Sequence, residues 1–83
     1  MTITCTILLF AHLTDAVGQS QLTIELPGSA TVNDALDTLI GRHSQVQQHR
    51  GTLAVAVNDR YADLDTKLND GDTIALIPPV SGG

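Results

Sequence analysis

Only one stretch of this chain carries helical periodicity, and strand-like alternation flanks it on both sides. A single helix and several short strands leave few ways to close a core. Val32, Leu36, Leu39 and Ile40 fall on one stripe, with Ala35 beside them, over about Val32 to Gly41. Thr31 stands where an N-cap is needed, and Asp34 lies where a carboxylate can bond back to it and favour the positive helix end. Gly41 or a following residue ends the segment, and Arg42 and His43 suit its negative end.

The rest reads as strands and turns. Residues 2–10 alternate polar and apolar through Ile7 and then turn apolar on both faces at Leu8, Leu9 and Phe10. Ile3, Cys5, Ile7 and Leu9 share the face assigned to the core; Leu8 and Phe10 point the other way. Ala11 to Val17 reads as a loop with one helical turn closed by Gly18, and Gln21 to Leu26 alternates again before the Pro27-Gly28 turn. Ser44 to Gly51 is polar and reads as a turn or short helix. Leu53 to Val57 and Arg60 to Ala62 read as strands joined at Asn58-Asp59. Leu64 and Leu68 mark a compact segment closing at Asp70-Gly71. Asp72 to Pro78 is the last strand, with Ile74 and Leu76 inward and Ala75 and Ile77 outward. The expected class is α+β: a mixed sheet of about five strands with one main helix packed on one face. The other face is left to water or a partner.

Eighty-three residues make one domain. We place it over residues 1–78, with a flexible tail over 79–83. With 2% aromatic residues, the core has to come from Leu, Ile, Val and Ala. A net charge of −5, with Arg42, Arg50, Arg60 and Lys67 the only cations besides histidines, argues against nucleic acid and anionic membranes as partners. No apolar run reaches the roughly 20 residues of a membrane span, and no secretory signal is evident. A lone cysteine forms no internal disulfide, so a reducing cytoplasm is the expected compartment.

Side-chain chemistry is sparse. Cys5 reads as a small buried apolar residue in an inward strand slot, not a reactive thiol. His12, His43 and His49 lack metal-site spacing, so no metal is expected. Asp63, Asp65, Asp70 and Asp72 lack the pattern of a calcium loop and read as solvated turn acids. The informative remainder is Pro78-Pro79-Val80-Ser81-Gly82-Gly83. Proline favours an extended exit from the domain. From Pro79 to Gly83 the chain can reach about 16 Å. Two residues without Cβ can thread a narrow channel and present a bare carboxylate there. That carboxylate is ionised at neutral pH and a poor electrophile. It has to be activated, for example as an acyl-adenylate, before sulfur attacks, and the activating machinery must come from a partner.

With Ile7-Leu8-Leu9-Phe10-Ala11, Ala56-Val57-Asn58 and Asn69 through Gly83, the chain resembles the small subunit of molybdopterin synthase (the MoaD family), a ubiquitin-like β-grasp sulfur carrier. The resemblance covers essentially the whole chain. It implies that an E1-like enzyme uses ATP to adenylate Gly83, and that a sulfur-donating enzyme then supports conversion to a thiocarboxylate. Pro79, Val80, Ser81 and Gly82 would be gripped by the partner as the tail enters the large synthase subunit and gives its sulfur to cyclic pyranopterin monophosphate. It implies a heterotetramer of two small subunits flanking a large-subunit dimer. Phe10, Tyr61 and Ile77 would form the docking surface, which overlaps the activating enzyme's site. It implies no bound cofactor, and enzyme status only as the sulfur-donating subunit, without catalytic side chains of its own. Burying Phe10 or Ile77 in such a contact is worth about 1.5–3 kcal/mol each. The chain departs from the family at Thr14-Asp15, where an arginine followed by an acid is common, so no arginine contact carries over. Two other readings stay open: a carrier for another sulfur pathway (thiazole type) or a protein-conjugating ubiquitin-like modifier, and a passive β-grasp interaction module with an inert tail.

Overall fold

Alternation over Thr2–Leu9 forms β1, and the same period over Gln21–Pro27 forms β2 antiparallel to it. The computed structural model describes residues 1–78, the side chains of His12 and His49 excepted; the tail residues Pro79, Val80, Ser81, Gly82 and Gly83 lie outside the described residues. Between the two strands, His12–Val17 forms a short helix, α1, closed by Gly18 at φ 89°, whose N–H donates to the Thr14 carbonyl at 2.8 Å. The left-handed conformation favours glycine there.

The helical stripe becomes α2, Val32–Arg42, one residue longer than its periodicity predicts. Its capping box is complete: the Thr31 N–H donates to Asp34 Oδ2 at 2.9 Å, and the Asp34 N–H donates to Thr31 Oγ1 at 3.4 Å. Such caps are worth about 1 kcal/mol. His43 occupies the C-cap, as expected for a helix-end residue. A 3₁₀ stretch over Ser44–Thr52 follows. Polar as it is, it is pinned at two points: Val46 is buried, and the Arg50 guanidinium pairs with Asp37 and donates to Asn33 Oδ1, both on α2.

Strands β3 (Ala54–Val57), β4 (Arg60–Tyr61) and β5 (Thr73–Ile77) complete the sheet. Asn58 and Asp59, at φ 51° and 71°, make the tight turn that short polar side chains tolerate. The strand order is β2-β1-β5-β3-β4; β1 and β5 run parallel and the other neighbours antiparallel. The last strand therefore lies in the middle of the sheet. One face packs against α2: Ile3, Cys5, Ile7 and Leu9 of β1, Ile24 and Leu26 of β2, Val55 of β3, and Ile74 and Leu76 of β5 meet Val32, Ala35, Leu36 and Leu39. The α+β expectation of one main helix on a mixed five-stranded sheet holds.

One expectation is corrected. Asp63, Asp65 and Asp70 are exposed turn acids, as expected, but Asp72 is not. Asp72 is buried; its carboxylate accepts from the Asn69 N–H and from Asn58 Nδ2, each at 2.8 Å. Asp70 Oδ1 accepts from the Thr4 N–H at 2.8 Å, and the Gly71 N–H, at φ 87°, donates to the Thr4 carbonyl at 2.8 Å. Carboxylates thus accept from the Asn69 N–H of the turn and the Thr4 N–H of β1, while the Gly71 N–H finds a backbone carbonyl.

Candidate functional site

The uncovered face of the sheet is built from the alternate residues of each strand, and pairing registers show which of them stand together. Leu8 of β1 lies opposite Ala75 of β5, Ala75 opposite Ala56 of β3, and Ala56 opposite Tyr61 of β4. These four make one apolar row across four strands, neighbours in such a row having Cβ atoms about 5 Å apart. Ile77 opposes Ala54 in the next row. At the other end of the same face, Thr6 opposes both Thr23 and Thr73, Thr4 opposes Glu25, and Thr2 opposes Pro27. Hydroxyls and a carboxylate occupy that half; carbon occupies this one.

Phe10 follows the last residue of β1 and is 46% exposed. It joins Ala11, Ile77 and Pro78 in lining an apolar depression of about 320 Å³. The depression sits where β5 ends, at the last described residue before the tail. Tyr61, 80% exposed, stands at the far end of the apolar row on β4. The structure thus brings Phe10 and Ile77 to one depression and links Tyr61 to them through Leu8, Ala75 and Ala56. Alternation in the sequence puts Leu8 and Ala75 outward without assigning them to the docking surface, and Ala11, Ala56 and Pro78 stand in the motifs that carry the resemblance without an interface role; Ala54 has no such mark in the sequence. Strand parity counted back from the Asn58-Asp59 turn would have placed Ala54 and Ala56 outward. Ala56 is buried at 8% exposure yet belongs to the outer row, not to the helix-side core, so neighbouring side chains already shelter the middle of this patch.

An exposed aromatic and tyrosine flanking sheltered small residues is the composition of a contact surface. Apart from the Tyr61 hydroxyl, the side chains of this row and depression are hydrocarbon. Cys5, the one thiol, is 1% exposed on the opposite face, and its Sγ donates to the Asn69 carbonyl at 3.7 Å. Burial pushes this thiol up, and the carboxylates of Asp72 and Asp70 add to the rise against a lowering backbone hydrogen bond at Asp72. A neutral, enclosed thiol is a core residue, as its strand position indicates. Among the described residues no group of three His, Cys, Asp or Glu is placed to hold a metal ion, and no helix is long and apolar enough to cross a membrane. Gly83, with Pro79, Val80, Ser81 and Gly82, is a candidate that lies outside the described residues.

Residues 7–83 match the model of a family described as the ThiS family. The small archaeal modifier protein 1 of Haloferax volcanii is 41% identical over 83 aligned residues, taking in 90% of this chain and 95% of that one. A crystal structure of that protein aligns with a TM-score of 0.87 at 32% identity, over 94% of this chain and 99% of that one. The molybdopterin synthase sulfur carrier subunit of Arabidopsis thaliana is 31% identical over 77 residues, 93% of this chain and 80% of that one. A protein–protein complex of subunits 1 and 2 of molybdopterin-converting factor from Helicobacter pylori contains a similar chain. The TM-score there is 0.68 at 27% identity, over 98% of this chain and all of that one.

Proposed function

This chain belongs to the ThiS family and has a ubiquitin-like β-grasp fold, and on that premise we propose that it is a sulfur carrier serving as the small subunit of a molybdopterin synthase. The observation that carries the reading is the apolar half of the open sheet face, which ends where the chain leaves β5 towards Gly83. The large synthase subunit docks on Phe10, Ile77 and Tyr61, and the segment from Pro79 to Gly82 is threaded into its active site. A relative in complex with a second subunit supports a partner of this kind.

The chemistry runs through the main chain. An E1-like enzyme lets the Gly83 carboxylate attack the α-phosphate of ATP, forming an acyl-adenylate and releasing pyrophosphate. Sulfur supplied by a donor enzyme at the sulfide level (HS−) bonds to the acyl carbon as the bond to AMP breaks, leaving a thiocarboxylate and AMP. Inside the large subunit that sulfur passes to cyclic pyranopterin monophosphate, and water restores the carboxylate. The carrier contributes no side chain to these steps; it contributes a docking surface and an acyl group without a neighbouring Cβ. Both partners use the same apolar patch, so they bind in turn. No cofactor is held by the carrier itself, and a reducing cytoplasm suits its lone thiol.

The test is intact mass after incubation with the cognate activating enzyme, ATP and a sulfur source. The expected product has one oxygen replaced by sulfur at Gly83, and an unchanged mass would refute the reading. The likeness to a small archaeal modifier protein favours a second reading, in which Gly83 is joined to lysines of other proteins. Affinity capture followed by peptide mass spectrometry would then recover foreign lysines that carry residues 68–83 of this chain, the piece left after cleavage at Lys67.

A further inference from the structure

We propose that Ala11 is a positioning residue for the docking surface: its backbone, held where alanine rarely sits, sets Phe10 beside Ile77 and Pro78. The inference rests on the reading of this surface as the large subunit's docking site. Among the described residues three non-glycine residues have positive φ, and two of them, Asn58 and Asp59, occupy a hairpin turn that suits their short polar side chains. Ala11 is of another kind. At φ 53° and ψ −135° it lies outside the left-handed helical basin, near the first central position of a type II′ turn, which glycine dominates. The Leu13 N–H donates to the Phe10 carbonyl at 3.2 Å, so residues 10–13 close as a turn with Ala11 at that position.

A residue held in such a conformation persists only where its surroundings over-determine it, and such residues cluster at functional sites. Both flanks are fixed here. On one side the Leu9 N–H donates to the Ser20 carbonyl at 2.9 Å, ending the ladder of β1 one residue before Phe10. On the other, Leu13 is fully buried, the Thr14 N–H donates to the Ala11 carbonyl at 3.1 Å, and Thr14 Oγ1 donates to the Leu9 carbonyl at 3.3 Å. The corner turns the chain away from the sheet directly after Leu9, which leaves Phe10 at the sheet's end, half exposed. Ala11 and Phe10 line the same depression. Glycine would make this corner with less strain, but it would loosen the corner and with it the seat of Phe10. The chain keeps alanine where the backbone alone prefers glycine, and it does so beside the most exposed apolar ring near the tail exit.

The experiment compares Ala11→Gly, Phe10→Ala and the double variant, reading affinity for the cognate large subunit by calorimetry and the thermal midpoint of each carrier alone. Ala11→Gly is expected to hold or raise the midpoint while weakening binding roughly fivefold, a size common for coupled neighbours. In the Phe10→Ala background the same change should cost nothing further, because the ring it orients is gone. Unchanged or tighter binding by Ala11→Gly would mean a purely structural corner and would overturn the proposal. Equal losses in both backgrounds would overturn it too, since Ala11 would then act by its own contact. A lowered midpoint would deny the strain on which the argument stands. Should Phe10→Ala itself bind normally, the docking reading fails first and takes the positioning role with it.

Discussion

The two halves of the open sheet face share strands, pleat and exposure to one side, yet they differ in kind. Around Thr2, Thr4, Thr6, Thr23 and Thr73 the surface is hydroxylated, and beneath it a hydrogen-bonded turn at Asp70 and Asp72 holds β1 against β5. Around Leu8, Ala75, Ala56, Tyr61 and Ile77 the surface is carbon but for the Tyr61 hydroxyl, and α2 packs on the other face. Threonine is a good strand former that water satisfies; leucine, isoleucine and tyrosine form strands equally well but gain from cover. Backbone regularity is therefore no guide to where a partner lands. The change of side-chain chemistry along each strand is, and it falls at the end from which the tail departs.

The largest expected effect tests whether inward and outward residues of β5 differ as described. Leu76→Ala, at a fully buried position, should cost about 2–5 kcal/mol in chemical denaturation. The adjacent Ile77→Ala should cost less than about 1 kcal/mol while weakening the large-subunit complex. Equal losses of stability would break the distinction between the faces. Next comes the support under the hydroxylated half. Asp72→Ala leaves the Asn69 N–H and Asn58 Nδ2 without their acceptor and should cost about 1–3 kcal/mol. A denaturation midpoint equal to that of the parent chain would show that water replaces the carboxylate.

Smaller effects sharpen the boundary between the halves. Tyr61→Ala, at the exposed end of the apolar row, should weaken large-subunit binding roughly tenfold, about 1.4 kcal/mol, with thermal stability retained. Surface plasmon resonance would check this, and parental affinity would confine the contact to Phe10 and Ile77. Smallest of all, Thr4→Val adds carbon to the hydroxylated half and should move stability by no more than about 0.5 kcal/mol. It should leave affinity for the large subunit where it was. A clear change in affinity would extend the contact beyond the apolar half.

Much of this was legible in the residues. The period-two alternation of Ile3, Cys5, Ile7 and Leu9 and the helical stripe through Leu36 and Leu39 sorted core from surface correctly, because both patterns are local consequences of backbone geometry. The Thr31–Asp34 cap and the Asn58-Asp59 turn followed from side-chain chemistry acting within a few residues. Asp72 was misjudged because an acid after Asp70-Gly71 looks solvated until Asn58 arrives from the turn between β3 and β4 to donate to it. Val46 and Arg50 likewise gave no sign in a polar segment that they would pin the 3₁₀ stretch, the arginine by holding α2.

By itself the sequence settled which residues of the long strands and of α2 face inward, where α2 begins, and that two prolines stand shortly before Gly82-Gly83. Which outward residues become neighbours was decided only in three dimensions. Leu8 meets Ala75 because β5, last in the chain, pairs in parallel with β1, and Tyr61 joins them because β3 closes on β5 from the other side. Alternation assigns a face but not an order of strands. The order depends on which edges find each other once the core has formed, and with it comes the apolar surface beside the tail.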